Sequence, residues 1–199
     1  MYTNIVFGND LCDTRSKRAS VVPYTFVKNL QKDGSYLYEI YLLMGIHAKS
    51  GEVTDFGGGV KKAESDVEAS LRELNEETFG MFNDVTTDNL KTCVAISRPK
   101  CEKTIGPTKT KVYVEGISAI FLPVSNEWFE KAERVFKKAS LVDSEREIRS
   151  VMWIKGSDFL RPTTRDYKVW SFMRKFYYES LSSELNEMLF VKWNTCPPV

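Results

Sequence analysis

One histidine stands in the whole chain, and the four cysteines, Cys12, Cys93, Cys101 and Cys196, form no C-x-x-C pair. That scarcity argues against a zinc site and points to reduced thiols in an intracellular, cytoplasmic compartment. No apolar run approaches the roughly 18 residues that a membrane helix needs. The opening MYTNIVFGND lacks a basic region followed by an apolar stretch, so neither a signal peptide nor a membrane partner is expected. A net charge of +1 excludes a globally basic nucleic-acid binder, though not local basic patches. Internal repeats, low-complexity stretches and linkers are also missing. With 42% hydrophobic and 28% charged residues, residues 1–199 read as one soluble globular domain.

The apolar residues that are present change period along the chain. Ala19–Val27 and Tyr36–Met44 are rich in β-branched and aromatic residues and flank the turn Asp33-Gly34, so both predict strands. Val94–Ser97, Val112–Val124 and Val151–Ile154 also have strand character, with Gly106-Pro107 marking a loop before the second of them. Asn126–Lys138 predicts a helix capped by Ser125 or Asn126. Trp170, Met173, Phe176, Tyr177 and Leu181 recur at helical spacing and predict a C-terminal helical extension over about 166–190. The expected class is α/β, with a mixed sheet packed between helices.

The densest signal lies at GGVKKAESDVEASLRELNEETFG, from Gly58 to Gly80. Ser65 and Glu68 form an S-x-x-E capping box, which starts a helix near Asp66. Val67, Leu71, Leu74 and Thr78 follow the spacing of one buried stripe. At about 100° per residue, Glu73, Glu76 and Glu77 share an arc of roughly 100° on the other side. Like charges at these offsets repel, and a cation would relieve that cost. Hard oxygen ligands suit Mg2+ or Mn2+. Three helical glutamates alone more often make a solvated acidic face. Gly58, Glu64 and Arg72 at fixed offsets from them change that balance.

The pattern G-x5-E-x7-R-E-Leu-x-E-E, carried by Gly58, Glu64, Arg72, Glu73, Leu74, Glu76 and Glu77, resembles the signature of the Nudix hydrolases. The resemblance implies an α/β/α sandwich and hydrolysis of a diphosphate linked to a further group. It implies Glu73, Glu76 and Glu77 as metal ligands, with the Gly58 carbonyl as another, and Arg72 as the residue that orients or neutralises a glutamate. Glu64 becomes an outer ligand or a loop-fixing acceptor. Two departures stand out. Phe56 occupies the place of the usual proline before the glycines, and Phe79 delays the closing glycine to Gly80. The delay is expected to lengthen the last helical turn or shift its stop.

Relatives place the general base either in the box or on a downstream loop. Glu145 and Glu147 lie in DSEREIRSVMWI, where many relatives carry a Glu-Ile pair, and Glu147 is the candidate base. Its bland alternative is a solvated acid paired with Arg146 or Arg149. For substrate binding, Arg98, Lys100, Lys103, Lys109 and Lys111 crowd one segment against the single acid Glu102. Arg15, Lys17 and Arg18 form a second cluster, and Arg165, Lys168, Arg174 and Lys175 a third. Such patches suit an RNA backbone or a phosphate-rich small molecule. His47 reads as a structural histidine with substrate contact as the alternative. DFGGGVKK and the ending Glu77-Thr78-Phe79 are similar to the Nudix proteins of large cytoplasmic DNA viruses, which implies mRNA decapping with release of methylated guanosine diphosphate. Hydrolysis of diphosphoinositol polyphosphates or free nucleotides stays open, as does a non-catalytic binding module.

Overall fold

The computed structural model describes residues 3–105, 110–140, 146–160 and 183–195. Its spine is β2 (Arg18–Leu30), which changes partner half-way. Residues Arg18 to Val21 pair antiparallel with β5 (Phe56–Gly59), and Tyr24 to Leu30 pair antiparallel with β3 (Tyr36–His47). Pro23, which has no N–H to give to a ladder, falls in the gap between these two partners. On its other edge β2 runs parallel to β9 (Ile117–Pro123). Beyond β9 follow β6 (Val94–Arg98) and β1 (Asn4–Phe7), and beyond β3 lies β10 (Ile148–Lys155), all antiparallel. The short β4 (Val53–Thr54) pairs with β3.

Alternation along these strands fills two cores. Val22, Tyr24, Leu42, Met44, Ile96 and Phe121 face one side, where Leu185 and Leu189 of the C-terminal helix (Ser183–Thr195) cover them. Val21, Leu43, Ala95, Ile120 and Leu122 face the other. That side is covered by α1 (Asp66–Glu77), α2 (Thr87–Lys91) and α3 (Glu127–Ala139) through Val67, Leu74, Leu90, Ala132 and Phe136. The α/β/α sandwich with a mixed sheet is therefore the architecture. The C-terminal helix is tied down by two polar contacts. Tyr24 Oη donates to the Leu189 carbonyl at 2.9 Å, and Trp193 Nε1 donates to the Val124 carbonyl at 3.2 Å. Tyr24→Phe removes the first inside a closed core and should cost about 1 kcal/mol in urea unfolding.

Several expectations need correction. The run Val112–Val124 is not one strand: Gly116 breaks it, because a Cβ there would stand 3.2 Å from the Lys100 amide nitrogen. The upstream part leaves the sheet as β8 (Thr110–Val114) and pairs with β7 (Cys101–Ile105) as a separate two-stranded ribbon. The basic segment is thus mainly hairpin rather than loop, and Gly106-Pro107 lies outside the described residues. Asn126 does precede α3 but makes no cap bond, because its Oδ1 accepts from Thr25 Oγ1 at 2.6 Å. Of the C-terminal extension, residues 161–182 with Trp170, Met173, Phe176, Tyr177 and Leu181 lie outside the described residues. The described helix runs on to Thr195, beyond the expected end at Phe190. A short helix, α4 (Gly156–Leu160), follows β10 directly. No described helix is long and apolar enough to cross a membrane.

Candidate active site

The glycine strand and α1 are locked together by short contacts. Ser65 caps α1 as its sequence demands: its Oγ accepts from the Glu68 amide at 3.3 Å, and Glu68 reaches back to the Ser65 amide at 2.8 Å. Val67, Leu74 and Thr78 are buried as the stripe requires, while Leu71 is partly exposed. This fixes the helix so that its acidic arc meets β5. Gly58 sits against Glu73 so closely that a Cβ would lie 2.4 Å from the Glu73 carboxylate. Only glycine leaves that carboxylate in place.

Arg72 organises the acids. Its Nε and Nη2 donate to the two oxygens of Glu64 at 2.6 and 2.9 Å, and Nη2 also reaches the Gly59 carbonyl at 3.0 Å. Its Nη1 donates to Glu73 at 2.6 Å and to Glu76 at 3.2 Å. The forked hydrogen bonds from Arg72 hold the Glu64 carboxyl down to about 2. Because the folded value is depressed, the pair stabilises the protein above the ordinary carboxyl value of 4.5, and that support is lost as pH falls toward 2. Both groups touch solvent, so the contribution is about 1 kcal/mol. Glu64→Gln should flatten the stability curve between those pH values, as read by urea melts. Glu64 is accordingly a loop-fixing acceptor, not a residue free to meet a metal.

Glu77 has the opposite environment. It turns beneath the glycine strand, where its Oε2 accepts from the Gly57 amide at 2.7 Å. Burial, together with the Asp55 carboxylate, pushes it up to about 9. Arg18 and the Gly57 amide oppose this and lose. Arg18 is not a surface phosphate contact as its cluster suggested: it bridges Asp55 at 2.7 Å and donates to the Gly57 carbonyl at 2.8 Å. Asp55 is 2% exposed and went unnoticed in the sequence, where it is one acid before a run of glycines. No local signal marks it, because its partner Arg18 is brought alongside only by the β2–β5 pairing.

Two clefts meet at Glu77. The larger, about 510 Å³, is lined by Gly58, Lys61, Arg72, Glu73, Glu76 and Glu147 among others. The smaller, about 330 Å³, holds Arg18, His47, Ser50 and Glu52, and shares Glu77 and Glu147 with it. Glu147 is brought there because β10 pairs Ile148 with His47, and the Ala48 amide donates to the Glu147 carbonyl at 2.6 Å. Its side chain is exposed and forms no ion pair among the described residues. Arg146 is held instead by the Ser140 carbonyl and hydroxyl at 3.0 and 2.9 Å. His47 Nδ1 accepts from the Ser50 amide at 3.2 Å, which anchors the β3–β4 turn. Glu145 lies outside the described residues.

The basic segment does not join this site as a block. Arg98 is 5% exposed, because it closes β6 inside the sheet, so it is no surface phosphate contact. Lys100 is exposed just after it, Lys103 and Lys111 are carried by β7 and β8, and Lys109 lies outside the described residues. Neither Arg98 nor Lys100 lines either cleft. Arg165, Lys168, Arg174 and Lys175 lie outside the described residues.

No family model matches the chain, and no curated protein sequence does. Solved structures resemble it at low identity. An Ap4A hydrolase of C. elegans in a binary complex is 14% identical over 82% of this chain and 93% of its own, with a TM-score of 0.39. A mutT/nudix family protein from Listeria innocua is 14% identical over 89% and 99%, with a TM-score of 0.44. The Nudix hydrolase RenU of M. smegmatis is 13% identical over 93% and 90%, with a TM-score of 0.40.

What the site can hold follows from its own atoms. Among the described residues no three acidic side chains converge on one point. Arg72 draws Glu73 and Glu76 to its guanidinium, and Glu77 is turned to Gly57. The donors on the wall of the larger cleft are all hard oxygens, a set that suits Mg2+ or Mn2+. A buried carboxyl pushed up by a neighbouring acid is a group that a divalent cation would stabilise in its charged form.

Proposed function

We propose that the chain is a divalent-metal-dependent pyrophosphohydrolase of the Nudix type. The observation that carries this reading is that Glu73, Glu76, Glu77 and Glu147 line one cleft together with Gly58 and Gly59 of the glycine strand. Glu73, Glu76 and Glu77 would hold Mg2+ or Mn2+, with the Gly58 carbonyl as a further donor, and the metal would neutralise charge on the phosphates. Arg72 keeps the mutually repelling glutamates aligned. Glu147 lines the same cleft, makes no ion pair among the described residues, and serves as the general base that takes a proton from the attacking water. Lys61 adds a positive charge at the rim.

The substrate we favour is capped RNA, cleaved in its triphosphate bridge to release methylated guanosine diphosphate. Diphosphoinositol polyphosphates and free nucleoside diphosphate derivatives are the competing substrates. Cap-labelled RNA, short cap analogue and diphosphoinositol polyphosphate should be assayed in parallel with Mg2+ or Mn2+ and with chelator. Metal-dependent release of labelled methylated guanosine diphosphate from long RNA supports decapping. Turnover of only the inositol or nucleotide substrates overturns decapping and keeps the hydrolase. Absence of turnover with all of them favours the non-catalytic binding module.

A further inference from the structure

Beside the catalytic cleft lies a second, open-sided trough of about 680 Å³ between the C-terminal half of α3 and the start of β10. Its floor is apolar, made by the buried Phe136 and Val151. Its walls are charged. Arg134 and Lys137, one helical turn apart, rise from α3, and Arg146 and Arg149 face them from the other side. Glu130 and Glu133 line it too, so among the described residues four cations stand against two acids. Arg134, Lys137 and Arg149 are exposed and make no ion pair among the described residues. Arg146 lines both the trough and the catalytic cleft, so the two adjoin at that residue.

We infer that this trough holds the phosphodiester chain of a single-stranded RNA whose 5′ end enters the catalytic cleft. The inference rests on the hydrolase reading for the direction of the chain, not for the binding itself. Two features favour an extended polyanion over a compact one. The cations come from two separate elements, α3 and the approach to β10, and the space they line adjoins the catalytic cleft at Arg146 rather than being part of it. It also moves the RNA grip from the β7–β8 ribbon, where the sequence pointed, to the α3–β10 face. Exposed guanidinium and ammonium groups at such positions attract phosphates chiefly by releasing the counterions that surround them.

Binding of a capped, fluorescein-labelled single-stranded RNA to a Glu76→Gln parent separates this from catalysis, since the probe is not consumed. Adding Arg134→Glu with Lys137→Glu should weaken binding tenfold or more. It should also flatten the dependence of log K on log salt by about 1.4, two phosphate contacts at about 0.7 each on a single strand. Arg149→Ala, on the opposite wall, should flatten it by about 0.7 and tests the trough without a double reversal. Lys28→Glu with Lys32→Glu changes net charge equally on exposed positions of the β2–β3 hairpin, and should stay within twofold of the parent. The inference is overturned if the α3 variant and Arg149→Ala both bind like the parent. Equal weakening by the hairpin control, or no measurable RNA binding by the parent, overturns it as well. None of these outcomes depends on whether a cap is hydrolysed.

Discussion

Glu76→Gln should lower metal-dependent turnover by about 100-fold or more while leaving the melting temperature nearly unchanged. The side chain is 58% exposed, and its one contact among the described residues is the 3.2 Å hydrogen bond from Arg72, so the fold asks little of it. An amide of the same shape still accepts from Arg72 but supplies no charge to a metal. Charge neutralisation by a metal is worth several kcal/mol in the transition state, and each 1.4 kcal/mol is tenfold in rate. Single-turnover rates at saturating Mg2+ would show the loss. A variant that keeps more than a tenth of wild-type activity would remove Glu76 from the metal site and weaken the hydrolase proposal directly.

Gly57→Ala should unfold the protein more readily, by about 3 kcal/mol, the upper range for overpacking a closed site. Gly57 is the Cα partner of Ser20 across the β2–β5 ladder. A methyl group there would stand 2.2 Å from the Ser20 Cβ and 2.6 Å from the Ala19 carbonyl oxygen, and neither atom can move without moving the central strand. The same displacement would break the Gly57 amide contact to Glu77. Gly58→Ala makes the contrast. The three atoms nearest its methyl group all belong to the end of the Glu73 side chain, so stability should hold while turnover falls. Urea melts and initial rates on the two variants should therefore separate in opposite directions. Similar losses of stability in both would mean that β5 is fixed by something other than the Ser20 contact.

The acidic helix was legible because local rules and burial agreed there. Ser65, Glu68, Val67 and Leu74 each do what their spacing demands, so the acidic arc and its partner Arg72 followed from sequence alone. The central strands were legible for the same reason, since their alternation reflects burial on both faces. What escaped was set by distant neighbours. Nothing near Asp55 says that Arg18 will bridge it, because the pairing depends on β2 and β5 lying side by side. Arg98 looked like part of a basic surface because its neighbours in sequence are lysines, yet its neighbours in space are strands. The arginines flanking Glu147 looked like its partners, but Ser140 takes Arg146 and leaves Glu147 facing the cleft. The cations of the α3 trough were dispersed over α3 and the approach to β10, and only their packing assembles them.

Phe79 gives the end of α1 an unusual dependence. The helix stops after Glu77, without the lengthening that the late glycine suggested. Thr78 follows as the cap residue, and Phe79 takes a left-handed φ of 53°, the position that glycine usually fills. The Gly80 amide then closes back on the Asn75 carbonyl at 2.9 Å, and the Phe79 amide on Glu76 at 3.4 Å. A side chain in that conformation costs about 1 kcal/mol or more, and here its ring packs edge-on against Phe136 of α3, with centroids 5.5 Å apart. The turn bearing Glu76 and Glu77 is therefore closed by local backbone bonds but held in its strained form by a tertiary contact. In time, that makes it a late event: the acidic end of α1 should set only once α3 has docked. Phe136→Leu should accordingly speed unfolding while leaving the folding rate nearly unchanged, a φ-value near zero in a chevron measurement.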